Sequence, residues 1–270
     1  MGARLTGILL RLLQHAKATC LPLHAAHHAI AFAVMFSLSA APLTPRTAAA
    51  AEPRGSMLCA SGPVHLAATE CTDTRVVSGV AFYYQDHPLS CEEASMSMAL
   101  THQGIALSQD QILSELGADS RPMYVDQAGR VHWGNPYETF VGNVDGNESD
   151  YTGFGTYYPP LVRVARAHGA RILAYGSMSA LTIYERVLAG HPVVAFATWD
   201  WLWHPRHDYI SFDGRSIPWI GPVYASHVYV VVGVSLGEVL INDPIRGQYW
   251  ISKSAFEAGY SDFDEAIVFA

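Results

Sequence analysis

Lysine is almost absent from this 270-residue chain, occurring only as Lys17 and Lys253. Acidic residues are missing from positions 1–51, cysteine occurs only four times, and no apolar run approaches the roughly 20 residues a bilayer-spanning helix needs. Each shortage excludes something. Beyond residue 51 the chain keeps 12 basic against 24 acidic residues, a formal charge of −12. Binding a phosphate backbone depends on Lys and Arg, so nucleic acid is excluded as a partner.

The acid-free segment carries Arg4, Arg11, Lys17 and Arg46 around an uncharged, mostly apolar run from Ala29 to Ala41. A run of that length behind a basic region and ahead of small residues reads as a secretion signal. The small residues are in the stretch Thr47 to Pro53, so cleavage is expected near Ala49 to Ala51, with an uncleaved membrane anchor as the alternative. Removing residues 1–51 takes Cys20 away and leaves Cys59, Cys71 and Cys91. Outside the cell thiols tend to pair, and Cys59 and Cys71 flank a short Gly- and Pro-containing loop that a disulfide would close. Cys91 is then odd, either buried and inert or kept free for chemistry.

Residues 52–75 read as an N-terminal arm and residues 76–270 as one catalytic domain. Val76 to Tyr84 is rich in β-branched and aromatic residues and reads as a strand. A helix follows from Cys91 to about Gln103, where Gly104 stops it. Ser90 and Glu93 have the spacing of a capping box, which would start the helix at Cys91. Met96 and Met98 on it are expected in the core. Further helices are expected at Ser108–Leu116, Tyr158–His168 and Met178–Leu188, with a brief strand at Arg171–Tyr175. Arg121–Gly155 is a long Gly- and Asn-rich loop region. Strands are then expected at Pro192–Thr198, His227–Val234, Val239–Asn242, Gln248–Ile251 and Ala266–Phe269. Helices first and strands second argue for an α+β fold, a helical half packed on an antiparallel sheet.

A thiol attacks as thiolate, and its ordinary pKa of about 8.5 keeps it mostly protonated at neutral pH. The free N–H groups of a helix start favour a negative sulfur at Cys91, while Glu92 and Glu93 oppose it. An imidazolium must therefore supply most of the activation. His227 heads a strongly apolar strand, and Asp243 ends the next strand-like run 16 residues later. Antiparallel pairing about the turn at Gly237 and Glu238 would bring the two together. The carboxylate would then hold one imidazole nitrogen and leave the other for the sulfur. Gln85, six residues before Cys91, could donate its amide to the oxygen that turns negative when a carbonyl is attacked.

Gln85, SCEEAS around Cys91, SHVYVVVGV and INDP together resemble the papain-like cysteine peptidases. The similarity is greatest to the branch of the bacteriocin leader-processing peptidases, and WGNPYETFVG and LAGHPVVAF add to it. The resemblance covers roughly Val76 to Ala270. It implies a papain-like fold, peptide-bond hydrolysis through an acyl-enzyme, and catalytic roles for Cys91, His227, Asp243 and Gln85. Peptidases of that branch are attached to membrane transporters with ATP-binding domains, whereas no P-loop or multi-span segment occurs here. A second departure is the aromatic insertion Trp199 to Tyr224, in which Trp199, Trp201 and Trp219 are candidate substrate-binding residues or packing under a long loop.

Two polar clusters compete for attention. His204, His207 and Asp208 lack a third histidine at a zinc spacing and read as an exposed loop. Asp145 to Asp150 (DGNESD) lacks the register of a calcium loop and reads as solvated. Neither a metal nor a cofactor is expected. The partner expected is a peptide or protein substrate, met outside the cytoplasm or at the cell surface. Two other readings stay open. One is an amidase or transferase acting on cell-wall peptides or protein amides; the other is a catalytically silent surface binding module.

Overall fold

The computed structural model describes residues 74–270. The proposed signal, most of the arm, Cys59 and Cys71 lie outside the described residues, and Cys91 is free.

The apolar runs of the second half build a seven-stranded antiparallel sheet. Its strands lie in the order Gly247–Ser252, Glu238–Asp243, Ser226–Val234, Val193–Thr198, Glu265–Phe269 and Ile172–Ser177. The two-residue strand Arg75–Val76 pairs with the far end of Ser226–Val234, beyond a bulge between Val231 and Gly233. Every position of Val193–Thr198 is buried, because the sheet is covered on both faces. Side chains alternate across a strand. Val194, Phe196, Val228 and Val230 therefore pack with helices α1 (Cys91–Thr101), α2 (Gln109–Leu116) and α3 (Tyr158–Ala167). Val193, Ala195, Tyr229 and Val231 pack with α4 (Ala180–Leu188) and α5 (Lys253–Tyr260). This is the expected α+β architecture, with the nucleophile helix laid on an antiparallel sheet and Met96 and Met98 fully buried.

Local expectations differ in instructive ways. Val76 to Tyr84 is not a strand beyond Val76. After Val77 the chain leaves the ladder: the Ala81 N–H goes to the Thr101 hydroxyl at 2.8 Å, and the Gln85 N–H to the Pro244 carbonyl at 2.9 Å. Helix α1 starts at Cys91, but no capping box forms. Ser90 Oγ accepts the His87 N–H at 3.0 Å and donates to Gln109 Oε1 at 3.0 Å, so it is committed to other partners. A true capping box forms one helix later, between Ser108 and Gln111. The long loop region holds short strands, among them Val131–Trp133, Phe140–Gly142 and Gly153–Gly155, and a 3₁₀ turn at Glu148–Asp150. The aromatic insertion contributes the hairpin His207–Ser211 and Ser216–Trp219. Among the described residues no helix is long and apolar enough to cross a membrane.

Candidate active site

His227 and Asp243 sit on adjacent antiparallel strands, as the hairpin reading expects. His227 Nε2 lies 3.0 Å from Asp243 Oδ1, and both side chains are buried. Asp243 is also held from three other directions. Its Oδ1 accepts the backbone N–H groups of Ile245 (2.8 Å) and Arg246 (3.1 Å), and its Oδ2 accepts the Tyr249 hydroxyl at 2.8 Å. Burial pushes its pKa up, but the bonds from His227, Ile245 and Tyr249 outweigh that and hold it down at about 2. It is a carboxylate at any ordinary pH. Burial outweighs the same bond on the other partner, so the His227 pKa is lowered and the ring rests neutral at pH 7. With Nε2 given to Asp243, Nδ1 is the nitrogen left for a reacting group.

Cys91 occupies the first turn of α1, where backbone N–H groups have no intrahelical acceptor. Cys91, His227 and Trp199 line one cavity of about 230 Å³. The thiol does not bond to His227 in this conformation. It donates to Glu92 Oε2 at 3.0 Å. Burial raises the Cys91 pKa well above the ordinary thiol value, and the Glu92 and Glu93 carboxyls add to the rise. The resting pair is therefore a thiol and a neutral imidazole.

Glu92 is placed with care. Its Oε1 accepts the Thr156 N–H at 2.9 Å, and a Cβ on Gly155 would sit 2.1 Å from that oxygen, so a glycine is required beside it. Burial drives its pKa up to about 7. Glu93 is fully buried with neither carboxyl oxygen hydrogen-bonded, and burial followed by the neighbouring Glu92 charge keeps it protonated. Glu148 also faces the cavity, with Oε1 accepting the Trp219 indole N–H at 2.6 Å and burial raising it to about 8. Three buried carboxyls around a thiol were not expected from the sequence. Glu148 corrects the reading of residues 145–150 as a wholly solvated loop, because the 3₁₀ turn points that one side chain inward.

Gln85 is placed just ahead of the nucleophile, but its amide is engaged. Nε2 donates to the carbonyls of His87 and Pro88, each at 2.8 Å, and the residue does not line the cavity. The three tryptophans divide. Trp199 is in the site, its ring 5.0 Å from the His227 ring and edge-on to it, with the Arg246 guanidinium 3.7 Å above. Trp201 and Trp219 are core residues, which corrects their assignment to substrate. Trp201 stacks on Tyr229 at 4.1 Å and donates to the Tyr249 hydroxyl at 3.2 Å. Trp219 is buried among Trp133, Tyr151 and Tyr209 and fixes Glu148. Both serve the site from behind, through Tyr249 and Glu148. His204 is not exposed either: it is buried, stacked on Tyr224 at 3.8 Å and paired with Asp200 at 2.9 Å. Among the described residues no group of three or more His, Cys, Asp or Glu could hold a metal ion.

The model of the Peptidase_C39 like family matches residues 77–267. A C39-like peptidase from Bacillus anthracis superposes on 73% of this chain and 97% of its own, with a TM-score of 0.62 and 23% identity. The peptidase domain of Streptococcus ComA, a bifunctional ABC transporter involved in a quorum-sensing pathway, covers 70% of this chain and 96% of its own, with a TM-score of 0.43 and 14% identity. No protein of curated function matches the sequence.

Proposed function

The chain belongs to the Peptidase_C39 like family of cysteine-type peptidases, and from that premise we propose that Cys91, His227 and Asp243 form a catalytic triad that hydrolyses peptide bonds through an acyl-enzyme on Cys91. The observation that carries the reading is the buried 3.0 Å bond to Asp243 from Nε2 of His227, a residue that lines the same cavity as Cys91. It fixes the ring and leaves Nδ1 for the thiol proton.

In the proposed reaction Sγ turns from Glu92 toward Nδ1 and passes its proton there. The sulfur attacks the substrate carbonyl, and the imidazolium then protonates the leaving amine. Water, deprotonated by the same nitrogen, attacks the acyl-enzyme and releases the second product with the thiol restored. The unpaired backbone N–H of Cys91 is the first donor to the developing oxyanion. Gln85 joins it on releasing one of the two carbonyls it now binds. Trp199 forms the substrate-facing wall beside His227.

Export of the chain is part of the same reading. It is supported by the acid-free, basic N-terminal segment with its uncharged, mostly apolar run from Ala29 to Ala41 and by the small residues near Ala49 to Ala51. N-terminal sequencing of the protein recovered from outside the cell tests the cleavage site.

The triad is tested by mapping which cysteine iodoacetamide modifies in the folded protein, together with cleavage of a peptide library. The expected result is modification of Cys91 with loss of cleavage, and loss of cleavage in Cys91→Ala and His227→Ala proteins that remain folded. Undiminished cleavage in either variant would overturn it.

A further inference from the structure

The cavity beside Cys91 has an unusual wall. Apart from the reacting groups it is lined mostly by apolar side chains, with the aromatic rings of Phe154, Tyr157, Phe196 and Phe263 contributing, yet two carboxyls, Glu92 and Glu148, open onto it. No Lys or Arg is among its lining residues. Buried carboxyls are ordinarily paired with a cation or saturated with hydrogen bonds. Glu92 has partners for both oxygens, in the Thr156 N–H and the Cys91 thiol. Glu148 is held more loosely. It is 7% exposed, its Oε1 takes the Trp219 indole N–H at 2.6 Å, and its other partners are the Ser226 backbone N–H and the Ser226 hydroxyl, the latter 3.5 Å from Oε2, the outer limit of a hydrogen bond.

The side chain is also pinned. Gly221 lets the backbone close over it, since a Cβ there would lie 2.6 Å from Glu148 Oε1 and 2.5 Å from the Trp219 ring. The 3₁₀ turn that carries it is capped by Asn147, whose Oδ1 accepts the Ser149 N–H at 2.8 Å. A fixed carboxyl with one weakly bonded oxygen, facing a partly aromatic cavity next to a nucleophile, is a receptor for a cation on an apolar stem. Lysine and arginine side chains have that shape, and aromatic faces favour both the stem and the charge.

We propose that Glu148 is a specificity-determining residue of this site, pairing in the cavity with a lysine or arginine side chain of a substrate residue adjoining the scissile bond. The inference rests on the peptidase reading of Cys91. Its charge logic is that the substrate brings the cation the cavity lacks, so the pair is formed only in the complex.

The test is a fluorogenic peptide library carrying Lys, Arg, norleucine, Glu or Gly in turn at each position flanking the cleaved bond. Norleucine keeps the lysine stem and removes the charge. The expected result with the unmodified protein is a kcat/KM for Lys or Arg about tenfold or more above that for norleucine at one position, and Glu148→Gln lowers that ratio about tenfold or more. Glu148→Asp, which restores the charge, recovers part of it. Cleavage with no basic preference at any position, or a ratio unchanged by Glu148→Gln, overturns the inference and leaves the peptidase reading standing. Failure to cleave any member of the library overturns both. The library on the unmodified protein decides the matter even where a variant does not fold.

Discussion

The Cys91 thiol donates a hydrogen bond to the adjacent Glu92 carboxyl at 3.0 Å. The nucleophile of this site is therefore parked on an acid, while its base is satisfied by Asp243. A carboxylate beside a thiol disfavours the thiolate twice over, by repulsion and by stabilising the S–H form through its hydrogen bond. The arrangement makes resting reactivity low and ties activation to a change in the sulfur's partner.

Glu92→Gln removes that charge while an amide oxygen still accepts the Thr156 N–H. The Cys91 pKa is expected to fall, and the rate of alkylation by iodoacetamide at pH 7.5 to rise, by about tenfold for each unit of pKa lost. Pseudo-first-order alkylation of the two proteins checks this. An unchanged or slower rate in the variant would mean that Glu92 does not restrain the thiol.

The same carboxyls govern stability against pH. Glu92 is raised from 4.5 to about 7 and Glu148 from 4.5 to about 8, so the folded state holds protons that the unfolded chain has released. Stability must then increase as pH falls from about 8. Below about 6.5 the buried, neutral His227 begins to oppose this, because the unfolded histidine takes a proton that the folded one resists. His87, raised by its bonds to Asp110 and Asp145, acts in the same direction as the glutamates, and Asp243 is ionised throughout. The expected gain between pH 8 and 6.5 is on the order of 1–3 kcal/mol. Thermal melts at the two pH values measure it, and a melting temperature that drops on acidification across this window contradicts the burial of these acids.

Tyr249 supports the base indirectly. Its hydroxyl donates to Asp243 Oδ2 at 2.8 Å and accepts from the Trp201 indole at 3.2 Å, which links the core tryptophan to the triad carboxylate. A hydrogen bond to a charged group is worth about 1.5–3 kcal/mol. Tyr249→Phe is expected to lower kcat about tenfold or more through a looser Asp243, with KM little changed. Steady-state kinetics separate the two constants, and a change confined to KM would place Tyr249 in substrate binding instead.

Much of this geometry was legible in the residues. Val193–Thr198 and Ser226–Val234 are strongly β-branched and apolar, which fixes them as strands buried on both faces, and the short turn between Val234 and Glu238 brings Asp243 back beside His227. The start of α1 at Cys91 was also readable, although the capping box expected there does not form, because Ser90 is claimed by Gln109 from another helix. The carboxyls around the sulfur were hidden for a similar reason. Glu92 and Glu93 look like ordinary solvated acids of a first helical turn, and Glu92 is covered by Gly155 and Thr156, more than sixty positions away. Glu148 sits in a run of polar residues, where nothing local marks one acid as turned inward. Helix α5 is only eight residues long and carries Gly259, which a periodicity argument discounts, yet that glycine admits the backbone of Trp201, whose Cα would lie 2.9 Å from a Cβ there.

Trp199 and Trp201 look alike in the sequence and differ in what they do. Trp201 is 7% exposed, stacks on Tyr229 and touches Phe256. Trp201→Ala leaves a cavity between the sheet and α5 and is expected to cost about 3–5 kcal/mol of stability. Trp199 is only half-buried. It borders the cavity, carries Arg246 on its face and presents its ring to His227. Removing it opens the cavity and exposes the imidazole, while the fold loses little more than one partly exposed cation–π contact, about 0.5–1 kcal/mol. Trp199→Ala is therefore expected to cut kcat/KM with a small change in melting temperature, and Trp201→Ala to lower the melting temperature steeply. Melting curves and kcat/KM measured on both variants distinguish them. A large loss of stability in Trp199→Ala with unchanged kinetics would move that residue from the substrate wall to the core.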